Sequence, residues 1–234
     1  MIWSTIRTTA LLLCFAAVLE SQQSGPPARP RGADVVEKLG NGLFRIGNIR
    51  VDTVKKEISV AGKVNDAPTL EFIAGTKGGA KKYETALELD TNAVMFNMAL
   101  ILIGLDKANG VPTKFHFDPT PPKGDPVDIW VEWDAKDGHH RVPAEEVVWN
   151  KETKQPLAAG QWVYTGSVVL ADGQYLADMD GVLVGFVHTP APIIDRSSFE
   201  KSAYGLLQIN PNVGLLPGTA VTVTLSAVPK GRKK

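Results

Sequence analysis

Between Val35 and Val228 apolar and polar residues alternate in short runs: "LFRIGNIRVD", "EISVAGKV", "TLEFIAG", "YETALEL", "VDIWVEW", "WVYTGSVVL", "YLADMDGVLVGFV" and "AVTVTLSAV". A period of two puts successive side chains on opposite faces, so each run predicts a strand with one face toward a core. Asp137-Gly138, Asp172-Gly173 and Asp180-Gly181 punctuate these runs. Asp-Gly supplies the positive backbone angles of tight hairpin turns, so neighbouring strands are expected to pair antiparallel. In the run ending at Leu89, Tyr83, Thr85, Leu87 and Leu89 share one predicted face, and Glu84, Ala86 and Glu88 the other.

One stretch breaks the alternation. Ala93 to Leu105 is 13 residues long and apolar except for Asn97 and Gly104. Asp90, Thr91 or Asn92 can cap the free amides of a helix start, and Gly104, Gly110 and Pro112 supply stop signals. A bilayer core needs about 20 apolar residues, so the run predicts a buried helix and not a membrane span. A helix apolar on nearly all sides must be covered nearly all round, and only the strands are available to cover it. The expected fold is therefore α+β: a mostly antiparallel β-sheet or sandwich packed on one central buried helix.

The first residues read differently. Arg7 precedes "ALLLCFAAVL", ten apolar residues from Ala10 to Leu19, and the polar "ESQQSGPPARPRG" follows. This pattern predicts a signal peptide over residues 1–24, a flexible Pro/Gly-rich leader over 25–34, a single domain over 35–228 and a basic tail over 229–234. The expected location is periplasmic or extracellular, with no transmembrane span in the mature chain. Cys14, the one cysteine, lies inside the apolar segment, so the mature chain has no thiol for disulfides, zinc thiolates or iron–sulfur clusters. A competing reading makes Cys14 a lipid-attachment site, against which stands the bulky Leu13. Lys plus Arg and Asp plus Glu both total 25, so no global field draws in nucleic acid.

The segment "GGAKKYETALELDTNAVMFNMALILIGL", followed by "VDIWVEW", "WVYTGS", "YLADMDGVLVGFVHTPAPIID" and "PGTAVTVTL", resembles the YdjY-like domain of exported bacterial proteins, from Ala61 to Val228. The resemblance implies no catalytic activity, since none is established for that family as a class. Some of its members carry ferredoxin-type cysteine segments, which this chain lacks after Cys14. Members often place His before the residue matching Glu84, where this chain has Tyr83. A role for that His is therefore not carried over.

Several residues invite chemistry. Asp178 and Asp180 point the same way if a strand runs through them and could hold a cation, although the full Asp-rich calcium loop is absent. His139 and His140 follow Asp137-Gly138 and read as a solvated hairpin end. His188 closes a strand within possible reach of Asp178 or Glu84. Ser167 lacks the Gly-x-Ser-x-Gly context of a nucleophile, and "GTKGGAKK" lacks the ending of a phosphate loop and reads as a hairpin loop. With Val127, Ile129, Val131 and Trp133 inward, Trp130 faces outward beside Asp128 and Glu132, a surface suited to a sugar ring or a partner unless a second layer covers it.

Two functions follow from different classes. The first is an exported, non-catalytic binding or envelope module recognising a protein or glycan through Trp130, Asp128 and Glu132. The second is a cation-dependent or acid/base hydrolase with Lys82, Glu84, Asp178 and His188 in one pocket. No cofactor is expected under the first reading.

Overall fold

The computed structural model describes residues 36–198 and 205–229. The segments expected to be a signal peptide and a leader, with Cys14, and all but the first residue of the expected basic tail lie outside them. The elements in chain order begin with an antiparallel meander: β1 (Val36–Gly40), β2 (Leu43–Ile46), β3 (Ile49–Asp52) and β4 (Glu57–Val64). β5 (Phe72–Thr76), β6 (Thr85–Leu89) and the helix α1 (Ala93–Leu102) follow, then the long hairpin of β7 (Asp125–Ala135) and β8 (Gly138–Pro143). Next come β9 (Val148–Asn150), β10 (Gln155–Pro156), β11 (Trp162–Tyr164), the short helix α2 (Leu176–Asp180), β12 (Val182–Gly185) and β13 (Ile194–Arg196). β14 (Leu207–Ile209) and β15 (Ala220–Ala227) complete the described chain.

Eight of these strands close on themselves in the order β4-β15-β7-β11-β13-β12-β5-β6, with β6 returning to β4 through Gly62↔Leu89, Lys63↔Glu88 and Val64↔Leu87. β3 and β6 use successive stretches of β4: Ile49↔Val60 and Val51↔Ile58 pair below, and β6 takes over from Gly62. A side chain at Gly62 would stand against the Glu88 carbonyl oxygen and 2.7 Å from Leu89 Cδ2, so only glycine lets the strands close here. An eight-stranded barrel is just wide enough for side chains to fill its interior. Ile58, Val60, Leu87, Leu89, Val127, Ile129, Val131, Val223 and Leu225 are buried within the main core. β9, β10 and β14 form a separate small sheet.

The closed barrel overturns the expected sandwich on a central helix. The barrel supplies its own core from strand side chains, and α1 packs beside β2, β3, β12 and α2. Phe96, Ala99 and Leu100 are buried, while Val94 and Ile101 are about half exposed at 47% and 49%. An apolar composition showed that the segment is a helix but not that every side of it is covered. Asn92 caps the helix, its side chain accepting from Met95 N at 2.8 Å. Asn97 accepts a hydrogen bond from the buried Tyr164 hydroxyl at 2.6 Å, which ties the helix to β11.

Three local expectations also change. Lys82–Glu84 is a 3-10 turn, and the strand begins at Thr85 with both Ala86 and Leu87 buried, so the half-exposed strand face drawn through Glu84 and Ala86 does not exist. "GTKGGAKK" joins β5 and β6, which pair parallel, so it is a crossover and not a hairpin loop. "YLADMD" forms α2, ended by Gly181 in the left-handed conformation at φ 69°; Asp180-Gly181 marks a helix stop where a hairpin was expected. The Asp137-Gly138 and Asp172-Gly173 turns do reverse the chain, the second through Leu170 N to Gln174 O at 2.8 Å.

Candidate functional site

The residues predicted to share one pocket stand in different settings. Lys82 is exposed on the 3-10 turn, and Asp178 is exposed on α2. His188 is fully buried, with Nδ1 2.7 Å from the Asp118 carbonyl oxygen and Nε2 2.8 Å from that of Arg196. Both ring nitrogens thus address backbone, which makes His188 a strut and not a pocket residue. Asp178 and Asp180 are two apart on a helix, where side chains at that spacing diverge, so the geometry that suggested a shared cation is absent.

Glu84 alone of the four belongs to a cluster of ionisable groups. It is 4% exposed and forms an ion pair with Lys81 Nζ at 3.0 Å. Glu71, 8% exposed, meets His116 Nε2 at 3.1 Å. The two carboxyls immediately precede the paired residues Phe72 and Thr85, and Glu71 N donates to the Glu84 carbonyl oxygen at 2.9 Å. Parallel pairing therefore sets them side by side at the start of neighbouring strands. Burial, reinforced by repulsion from Glu84, holds the Glu71 carboxyl above its usual range although His116 and Lys81 pull the other way. For Lys81, burial favours the neutral amine, but the bonds to Glu84 and the Tyr83 hydroxyl prevail and raise its value.

His116 is displayed by a constrained loop. Phe117 sits at φ 62°, which a bulky side chain rarely adopts, and its amide donates to the His188 carbonyl oxygen at 2.8 Å. The Asp118 carboxylate accepts from Lys114 N and Thr120 N, both at 2.9 Å. His188 and Asp118 together hold the loop that brings His116 to Glu71.

The other candidate surface is the β7–β8 ribbon. Asp128, Trp130 and Glu132 face outward and are half-buried, as the alternation along β7 predicts. The Arg141 guanidinium lies 4.4 Å above the Trp130 ring and 3.5 Å from Glu132, so side chains of the neighbouring strand partly cover the tryptophan. His139 contacts Asp134 at 2.9 Å and Glu132 at 3.6 Å, and the bond to Asp134 raises its affinity for a proton. On the opposite face Trp133 stacks on His140, centroids 5.0 Å apart and planes 10° from parallel. An open groove of about 390 Å³ runs there between His140, Val142 and Glu146 on one side and Asn212–Gly214 on the other.

Glu71, Lys81 and His116 were not singled out by periodicity. Glu71 could have been, since it is a lone carboxylate entering an otherwise apolar strand. His116 lies in "KFHFD", outside every periodic run, and its partner is 45 residues away. Among the described residues no group of three or more His, Cys, Asp or Glu side chains has the geometry to hold a metal ion, and no helix is long and apolar enough to cross a membrane.

Fold and surface together define a closed β-barrel domain carrying a projecting ribbon and a separate ionisable cluster on its outer side. The chain belongs to the YdjY domain family, whose model matches residues 49–226. No curated protein and no solved structure matches it.

Proposed function

We propose that the protein is an exported binding module that recognises a basic segment of another protein through the β7–β8 ribbon. The groove between the ribbon and Asn212–Gly214 carries this reading: its volume suits an inserted side chain, and Val142 and Val213 offer apolar contact beside the carboxylates of Asp137 and Glu146. Charge selects the partner. Asp137 and Glu146 are the carboxylates lining the groove and, among the described residues, no Lys or Arg lines it, so a basic segment is attracted and an acidic one repelled. A protein partner fits better than a glycan because Arg141 already occupies one face of the Trp130 ring. Export rests on the apolar segment Ala10–Leu19 preceded by Arg7.

Affinity capture from an envelope extract, with wild type beside Val213→Ala and Asp137→Ala/Glu146→Ala, tests the reading. A basic protein retained by wild type, weakened by both variants and released by salt is the expected result. Equal retention by all three proteins, or recovery of the full chain from the cytoplasm alone, refutes it.

A further inference from the structure

The Glu71–Glu84 cluster lies on a different set of elements from the ribbon and has a second property. Three aromatic side chains keep much of their surface in water around it: Phe115 is 56% exposed, Tyr83 51% and Phe117 39%. Phe115 precedes His116 on the same loop, and contacts link the other two rings through the cluster. Phe117 stacks on His116 with ring centroids 3.9 Å apart, His116 meets Glu71, Glu71 adjoins Glu84, and Lys81 bridges Glu84 to the Tyr83 hydroxyl at 3.4 Å. A patch of exposed aromatic rings around buried polar groups reads as a recognition surface.

The polar groups narrow the ligand. A metal ion is disfavoured because the Lys81 ammonium already stands 3.0 Å from Glu84. A strongly cationic ligand gains little, since Lys81 and His116 offset the two carboxyls. What remains is a neutral, hydroxyl-rich molecule with an apolar face.

We propose that Glu71, Glu84, His116 and the rings of Tyr83, Phe115 and Phe117 form a saccharide-binding site, the rings taking the C–H face of a pyranose and the carboxyls bonding its hydroxyls. The negative ring face attracts C–H edges, and a buried carboxyl pair presents several oxygens in a fixed arrangement. Lys81 and His116 hold the two carboxyls in place, and His188 positions the loop without touching the ligand.

Calorimetric titration of the full chain with cellotetraose, chitotetraose and maltotetraose tests this. At least one is expected to bind, with the dissociation constant raised about tenfold by Phe115→Ala and by Glu71→Gln. Phe115 is exposed enough that its removal leaves the fold intact, which circular dichroism verifies. Absence of binding by all three sugars overturns the proposal, as does binding unchanged in both variants. Loss of sugar binding in Trp130→Ala alone overturns it too and moves the sugar to the ribbon, whereas failure of the ribbon's protein partner leaves this site standing.

Discussion

At the residue scale, buried polar side chains carry more of the architecture than their number suggests. His188 is the clearest case, joining the Asp118 carbonyl of the His116 loop to the Arg196 carbonyl at the end of β13. Replacing it with alanine removes the ring that both carbonyls contact in a dry site. The expected cost is about 2–4 kcal/mol by chemical denaturation, with faster amide exchange at Phe117 than in the barrel strands. Asp195 gives a pH signature. It is 1% exposed, Oδ1 accepts from Arg196 N at 2.8 Å, Oδ2 has no hydrogen bond, and burial pushes its carboxyl up to about 8. An unfolded Asp loses its proton near pH 3.9, so between about 4 and 8 the folded state binds the extra proton and stability falls as pH rises. Asp195→Asn removes that slope. Thermal melts across this range should show the variant gaining on wild type toward pH 8, by an amount on the order of a few kcal/mol, and the advantage vanishing near pH 4.

At the element scale, the two faces of β7 were legible and the face drawn through Glu84 and Ala86 was not. Alternation along β7 placed Val127, Ile129, Val131 and Trp133 inward and Trp130 outward, because a period of two is a property of one strand. It could not show that Arg141 would lie over Trp130, since that depends on the hairpin register Glu132↔Arg141. "YLADMD" was read as strand because five residues before a glycine carry too little periodicity to distinguish strand from helix. The start of α1 was legible, Asn92 being among the residues expected to cap it. Asn92→Ala should cost about 1 kcal/mol, seen as a lower urea midpoint at unchanged slope. Three of the four groups in the ionisable cluster stayed hidden: Glu84 was a candidate, but Glu71 and His116 reach it only through a parallel pairing and a long loop, and Lys81 meets it across the 3-10 turn.

At the scale of the whole molecule, closure of the ring is the decisive event, and no local pattern announces it. β4 pairs with β3 and β6 along one edge and with β15 along the other, so its partners lie both nearby and more than 150 residues away in sequence. Gly62, where β6 replaces β3, is the steric key. Gly62→Val should destabilise by at least about 2 kcal/mol, because the obstruction is the Glu88 backbone and cannot rotate away, and near-native secondary structure with a lower melting temperature is the expected observation. The order of strands carries a further consequence for biogenesis. β15 sits between β4 and β7 and follows every other described strand in the chain. A nascent polypeptide lacking it presents two long unpaired edges at once, which invites pairing with other chains until the ribosome has delivered β15. A holding chaperone therefore has its greatest effect on this protein in that interval, and truncation before Ala220 should yield aggregates in place of a smaller folded domain.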